Sequence, residues 1–327
     1  MNPRGSTIVE VVAKCCCGSI YLRTAAECGT IHGVKHVCDI QPERTRQSAA
    51  LPELYPLTFL LNIHNALWGR ELWEISGLAQ SPSIVASGAL EGRALDDLAS
   101  AYGATLTGTK APRPDVFPLL FKVIEAKDRL SVQVHPAGGA LGTTRPPEGD
   151  PKTEMWYVLG GQGRIFAGLK PGTDAAQVEE CVRTGRFEEL LVQHEVHEGE
   201  VLFIPGGTVH AIGGDVTVYE VQQSSDTTYR LYDWGRVGTD GKPRQLHVEE
   251  ALRAIDFDLS VPQPQKKEVT CPYFKFRSLV ADGFLDVAAN PQTFTALYMV
   301  DDGRSVLVPA NCSARIACNG RVLATTL

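Results

Sequence analysis

At 327 residues, with 43% hydrophobic and 21% charged side chains, the chain can fill one large domain or two modest ones around a packed core. A formal net charge of -7 excludes a general nucleic-acid binder, and it suits an anionic substrate only if a site gathers positive charge locally. No apolar run reaches the roughly 18 residues of a membrane span, and Ile8 to Ala13, broken by Glu10, is too short for a signal peptide, so a cytoplasmic protein is expected.

Residues 1–52 differ in character from the rest of the chain. They hold His32, His36 and five of the nine cysteines, Cys15, Cys16, Cys17, Cys28 and Cys38, and they lack sustained periodicity. Cys181, Cys271, Cys312 and Cys318 are scattered, and there is no CxxC pair. Three adjacent cysteines cannot serve one tetrahedral ion without contortion, so reduced thiols are expected. The segment reads as a poorly ordered N-terminal extension without assigned chemistry.

From Tyr55 the chain turns apolar. Leu95, Leu98, Ala99 and Tyr102 recur at helical spacing, which predicts a helix within Ala89 to Tyr102. Strands are predicted at Phe121–Ala126, at Leu130–Pro136 with strict alternation, and at Glu154–Leu159, which ends on Gly160 and Gly161. Gln162–Leu169 reads as a hairpin partner of the last. Asp174–Gln193 reads as one helix, with Val178, Val182, Leu190 and Leu191 as its apolar points. Strands return at Glu200–Pro205 and Val216–Gln222, residues 246–256 make a short helix, and short strands run from Pro262 to Leu327. Many short strands between glycine turns predict a mainly β protein, a jelly-roll barrel of the cupin type with helical additions. The catalytic barrel is expected over 53–258 and a smaller C-terminal β domain over 259–327.

Gln133 and His135 lie two apart on a predicted strand, so both face one side. Glu154 opens the next strand, and His210 comes after the rigid turn Pro205-Gly206-Gly207-Thr208. Two imidazoles, one carboxylate and one amide oxygen suit zinc, with iron or manganese also feasible. His194 and His197 flank an acidic segment and read as solvated, and His64 and His247 read as surface or packing residues.

These motifs resemble type I mannose-6-phosphate isomerases, in particular the short bacterial form. The resemblance rests on Ser131-Val-Gln-Val-His-Pro, Lys152-Thr-Glu, Pro205-Gly-Gly-Thr-Val-His-Ala and Ser225-Asp-Thr-Thr-Tyr-Arg-Leu-Tyr-Asp-Trp-Gly-Arg, supported by Tyr55-Pro-Leu and Phe117-Pro-Leu-Leu-Phe-Lys. It runs from about Leu54 to the C-terminus. It implies one zinc held by Gln133, His135, Glu154 and His210, an essential Arg230, and Lys152, Glu220 and Asp226 in the pocket. Ser131 and Lys122 are expected near the substrate phosphate. The chain departs from that family in its first 50 or so residues. A loop usual between Trp68-Gly69 and Glu71-Leu-Trp is missing, Pro151 stands where some relatives have histidine, and the chain is shortened around Asp301 to Arg304.

The implied activity is zinc-dependent interconversion of mannose 6-phosphate and fructose 6-phosphate through an enediolate, in a monomer or weak homodimer that needs neither nucleic acid nor membrane. Glu220 and Asp226 are the candidate proton-transfer groups. Glu220 could instead face outward from its strand, and Arg230 could be only an i, i+4 ion-pair partner of Asp226. Two other functions fit less of the sequence: a non-catalytic sugar-binding or regulatory relative, and a cupin metal oxygenase, which needs neither Lys152 nor Arg230.

Overall fold

The apolar strands β5, β7 and β12 are the long buried ones, and the sheets they build stack in layers. The computed structural model describes residues 51–138, 149–238, 241–266 and 268–327, together with the backbone of two short upstream strands. The chain divides into two units, Met1–Ala50 and Leu51–Leu327. In the first, β1 (Val12–Cys15) pairs antiparallel with β2 (Gly18–Tyr21). Cys16, Cys17, Cys28 and Cys38, and most of the extension read over 1–52, lie outside the described residues.

In the second unit β3 (Asn62–Ala66), β4 (Gly69–Ser76), α1 (Leu95–Tyr102) and α2 (Ala104–Thr107) come first. Next are β5 (Leu119–Ala126), β6 (Val132–Val134), β7 (Glu154–Gly161), β8 (Arg164–Leu169), α3 (Ala175–Thr184), β9 (Leu191–Glu195), β10 (Val201–Ile204), β11 (His210–Ile212), β12 (Val216–Gln223) and β13 (Tyr229–Tyr232). The rest is α4 (Val248–Ala254), β14 (Val269–Thr270), β15 (Lys275–Ala281), β16 (Phe284–Val287), β17 (Thr295–Met299), β18 (Arg304–Val308), β19 (Ala314–Ala317) and β20 (Gly320–Thr326).

A six-stranded sheet, ordered β10-β7-β12-β5-β4-β3, faces a five-stranded sheet, ordered β13-β6-β11-β8-β9. All the pairings are antiparallel. Between them lies a core that includes Ile124, Trp156, Val158, Ile165, Ala167 and Val218. This is the jelly-roll barrel expected from the pattern.

The six-stranded sheet is also covered on its other face. Phe121, Tyr157 and Tyr219 pack there with Phe276, Tyr298 and Leu323 of a third sheet, ordered β14-β15-β20-β17-β18. Burial on both faces explains why β5, β7 and β12 read as near-continuous apolar runs. The five-stranded sheet is covered outside by α3, α4 and Phe187, packed on Val134, Phe166 and Leu231.

Three local expectations are corrected. Gln162–Leu169 does not pair with Glu154–Leu159; after Gly161 and Gly163 the chain crosses to the facing sheet, where β8 lies between β11 and β9. The helix over Asp174–Gln193 stops at Thr184. Asp174 and Gln177 form its capping box, and Gly185, left-handed at φ 69°, closes it onto Cys181 O and Val182 O. Leu191 onward is strand β9, which buries His194 opposite Ile165 rather than leaving it solvated. The helix expected within Ala89–Tyr102 is present as α1, which begins at Leu95 after a turn at Gly92.

Gly69 shows how the short turn between β3 and β4 is closed. Its φ is 148°, and a Cβ there would sit 1.9 Å from Glu125 O. Only glycine lets β4 start this close to β5. The turn is pinned by Lys127 and Asp128, whose amides both donate to Trp68 O.

Candidate active site

The strand register sets the site. In the five-stranded sheet Gln133 lies directly between His210 and Arg230. In the facing sheet Lys122, Glu220 and Trp156 are lateral neighbours, with Trp73 beyond Lys122 and Gln222 paired to Glu154. Side chains two apart share a face, so Val218, Glu220 and Gln222 point into the barrel while Tyr219 and Val221 point to the third sheet. Glu220 is therefore buried and inward-facing.

The turn before His210 is fastened to the segment that follows β6, at His135 and Pro136. Gly207 donates its amide to His135 O, and Gly206 donates to Thr153 Oγ1. A Cβ at Gly206 would stand 2.5 Å from Pro136 O. The Pro-Gly-Gly-Thr sequence is thus required by backbone contact, and that contact brings two histidines together.

His135, Glu154 and His210 are fully buried and offer ligand atoms within 4.8 Å of one another. His135 Nδ1 lies 2.8 Å from Thr227 O, and His210 Nδ1 lies 2.8 Å from Thr208 O. A carbonyl only accepts, so each Nδ1 carries its proton and each Nε2 presents a lone pair. Those lone pairs face the Glu154 carboxylate at 3.4 and 3.3 Å. Glu154 Oε1 has no hydrogen-bond partner. Acceptors that converge in this way call for a cation.

Lys152 supplies part of that charge, with its ammonium 2.5 Å from Glu154 Oε2 and 2.9 Å from His135 Nε2. Burial, reinforced by Lys152, pushes His135 down to about 3. Burial also lowers His210. Both rings are neutral, as metal ligands must be. Burial works against the charged Glu154, but Lys152, His135 and His210 together outweigh it and hold the carboxyl well below its ordinary range. The Gln133 amide lies 3.4 Å from His210 Nε2 and, turned end for end, offers its oxygen as a fourth donor.

Above this cluster opens a cavity of about 320 Å³, a volume suited to a small ligand. Its wall holds Ser131, Gln133, Lys122, Lys152, Glu220, Asp226 and Arg230. Lys122 is buried between Glu71, at 3.1 Å, and Glu220, at 3.5 Å, and these carboxylates raise it despite burial. Glu220 accepts from Trp156 Nε1 at 2.7 Å through Oε2, while Oε1 has no hydrogen bond. Burial first, then the Glu154 charge, raises the Glu220 carboxyl; Lys122 leans toward Glu71 and offsets only part of this.

Arg230 does not pair with Asp226. Its Nε donates to Ser131 Oγ (3.3 Å) and its Nη1 to Gln245 O (2.9 Å). Asp226 is exposed on the cavity wall. His247 accepts from the Arg230 amide through Nδ1, and the His64 ring lies tilted against Trp73, their centroids 4.3 Å apart. Sequence reasoning missed Glu71, Trp73 and Arg244 as wall residues. Glu71 and Trp73 share the inward period of β4 and could have been found; Arg244 comes from an irregular segment with no periodic signal.

A family model described as phosphomannose isomerase type I, catalytic domain, matches residues 62–156. The mannose-6-phosphate isomerase of Streptococcus mutans is 34% identical over 225 residues, which cover 61% of this chain and 67% of that relative. The chain belongs to the type I phosphomannose isomerase family. Mannose-6-phosphate isomerase ManA of Bacillus subtilis is 35% identical over 203 residues, 59% of this chain and 60% of the relative. The chain thus spans 60–67% of the length of these curated members. Among solved structures, mannose 6-phosphate isomerase from Bacillus subtilis superposes with a TM-score of 0.69 at 23% identity, covering 83% of this chain and 99% of that one. The apo form from Salmonella typhimurium gives 0.61 at 15% identity, covering 84% and 99%. At these identities the superpositions show the shared fold. The phosphomannose isomerase family model ends at Trp156, so His210 and Arg230 lie beyond it and are brought to the site by β11 and β13. Among the described residues no helix is long and apolar enough to cross a membrane.

Proposed function

We propose that the chain is a zinc-dependent isomerase that interconverts mannose 6-phosphate and fructose 6-phosphate through an enediolate, with 53–258 as its catalytic barrel and 259–327 as a smaller β domain. The observation that carries this reading is the buried His135–Glu154–His210 cluster, with both Nε2 lone pairs and an unpartnered carboxylate oxygen converging beneath a cavity walled by a separate carboxylate, Glu220. Gln133, His135, Glu154 and His210 would hold the zinc, which when bound polarises a sugar carbonyl and offsets enediolate charge.

The chain's own residues account for the rest. Isomerisation removes the proton on C2 of the aldose, shifts the electron pair toward O1, and returns a proton to C1, while the O2 hydroxyl proton passes to O1 as O2 becomes the carbonyl oxygen. Glu220 suits that transfer. Its Oε1 takes no hydrogen bond and lies 3.5 Å from Lys122 Nζ, Oε2 is fixed by Trp156, and burial shifts its carboxyl upward, toward the range of a general acid–base group. Lys152 places a buried ammonium beside the site, able to donate a hydrogen bond to a sugar oxygen. Asp226, at the outer wall, is placed to hold sugar hydroxyls. Trp68, Trp73 and Trp156 line the same space and limit water there.

The test is an isomerase assay on purified chain, before and after chelation, with metal analysis of the same sample. Turnover of mannose 6-phosphate that is lost to the chelator and restored by zinc is expected, with about one zinc per chain. His210→Ala should empty the site and abolish turnover. Full metal content in that variant would remove His210 from the ligand set, and iron with no isomerase activity would favour oxygenase chemistry.

A further inference from the structure

Three segments must meet before His135, Glu154 and His210 can reach one ion, and a residue outside that ligand set is tied to all of them. Thr153 lies between Lys152 and Glu154 and is fully buried. Its Oγ1 accepts from the amide of Gly206 at 3.1 Å, in the turn that leads into His210. Its amide donates to Gln223 Oε1 at 2.9 Å, and its carbonyl accepts from the Gln223 amide at 3.1 Å. The side chain of one threonine thus holds one segment and its main chain holds another.

The Gln223 arm leads to the third ligand. Gln223 O accepts from the Ser225 amide at 2.8 Å, and Gln222 Nε2 donates to Ser225 O at 2.8 Å. Ser225 Oγ accepts from the Thr227 amide at 3.2 Å, and Thr227 O is the acceptor that fixes His135 Nδ1. Ser225 Oγ also donates to Asp150 O at 2.9 Å, which closes this turn onto the stretch before Lys152. The Gly206 arm is as short: two residues on, Thr208 O fixes His210 Nδ1. Each arm therefore ends on a carbonyl that sets the tautomer and the position of one imidazole. Lys152 adds a direct tie, its amide donating to Pro136 O, next to His135, at 3.0 Å.

We propose that Thr153 is a positioning residue for the metal: it clamps the two turns that orient His135 and His210 to the strand that carries Glu154, and so fixes the spread of the three ligands before an ion binds. The proposal rests on the reading of those three residues as metal ligands and is independent of the sugar's identity. Ligand atoms must sit within about 0.2 Å of their coordination distances, so a donor set drawn from separate segments binds well only if the segments are locked together. Without the Thr153 hydroxyl the buried Gly206 N–H has no acceptor. The turn would then shift toward another acceptor and carry His210 with it. The second tie of that turn, from the Gly207 amide to His135 O, remains in place, so the expected result is a loosened site in a folded chain.

The experiment uses the full chain loaded with zinc or with cobalt(II), as wild type, Thr153→Val and Thr153→Ser. Valine keeps the shape of threonine and removes the acceptor. Thr153→Val should release zinc to a chelator about tenfold faster or more, the scale on which groups that orient metal ligands act. The visible absorption bands of its cobalt form should change, because they report ligand geometry. Thr153→Ser keeps the Oγ and should restore both properties. A threonine that served packing alone would lower the melting temperature of the zinc-free and zinc-loaded forms equally and leave zinc release and the cobalt spectrum untouched. That result would overturn the proposal, as would a serine variant that behaves like valine. Should Thr153→Val not fold, Gln223→Leu breaks the other arm from a half-buried position and should also speed zinc release, and release at the wild-type rate there would overturn the clamp. A wild-type chain that takes up neither zinc nor cobalt would sink the ligand set itself, a failure distinct from that of the clamp.

Discussion

The two ends of the cavity each carry a pair of cations, but they are built from different material. At the buried end Lys122 and Lys152 sit on or beside paired strands and each touches a carboxylate, Glu71 and Glu220 for one and Glu154 for the other. At the outer end Arg230 and Arg244 rest on a short strand and an irregular segment, and one carboxylate, Asp233, is divided between Arg244 and Arg236. Matched charge in a low-dielectric interior fixes groups in place and tunes their protonation. Unmatched charge near solvent recruits a ligand. A chain with a net charge of -7 can therefore receive an anionic sugar, because the field that matters is the local one.

The sharpest way to break this contrast is at Glu220. Glu220→Gln keeps the Trp156 hydrogen bond in reach and removes the ionisable group. Turnover should fall by about 10²–10⁴-fold, with little change in KM and normal zinc content. A steady-state assay with metal analysis checks it, and turnover near wild type would move proton transfer to Asp226 or elsewhere. Arg230→Lys comes next. Lysine keeps the charge and loses the planar fork, so kcat/KM should fall about 10²-fold with zinc retained. If Arg230 were a simple surface cation, the change would be barely measurable. The smallest effect is expected where the two sheets meet. Gly206→Ala pushes a methyl group toward Pro136 O and Ala137 Cα. Overpacking of this kind costs about 1–3 kcal/mol, read as a lower melting temperature, and zinc should dissociate faster because His210 shifts against His135. An unchanged melt would show that the seam is more forgiving than its spacing implies.

Much of this was legible in the sequence, for physical reasons that can be named. Gln133 and His135 announce themselves because a strand has period two, and Glu154 and His210 because each adjoins a strong strand or turn signal. The strands themselves stand out because burial on one or both faces demands apolar side chains. What sequence does not carry is which strand pairs with which. The crossing of β8 into the facing sheet depends on glycines at Gly161 and Gly163 that read equally well as a hairpin turn. His194 sits beside glutamates along the chain, yet β9 turns it inward opposite Ile165. Arg244 reaches the cavity only because Asp233 and Gln245 hold an otherwise featureless segment there. In each case the decisive contact is distant in sequence, and no periodicity reports it.

The double cover of the six-stranded sheet has a consequence for how the molecule breathes. β5, β7 and β12 exchange hydrogen bonds on both edges and meet packed side chains above and below. Their amides can meet solvent only when the whole unit opens, so they should exchange with the free energy of global unfolding. The outer segment around Gln245, held by few backbone bonds, should exchange through small local openings. Lys122, Glu154 and Glu220 thus ride on the slowest-opening part of the protein, already set before any ligand arrives, while the outer wall of the cavity stands on a part free to adjust to one.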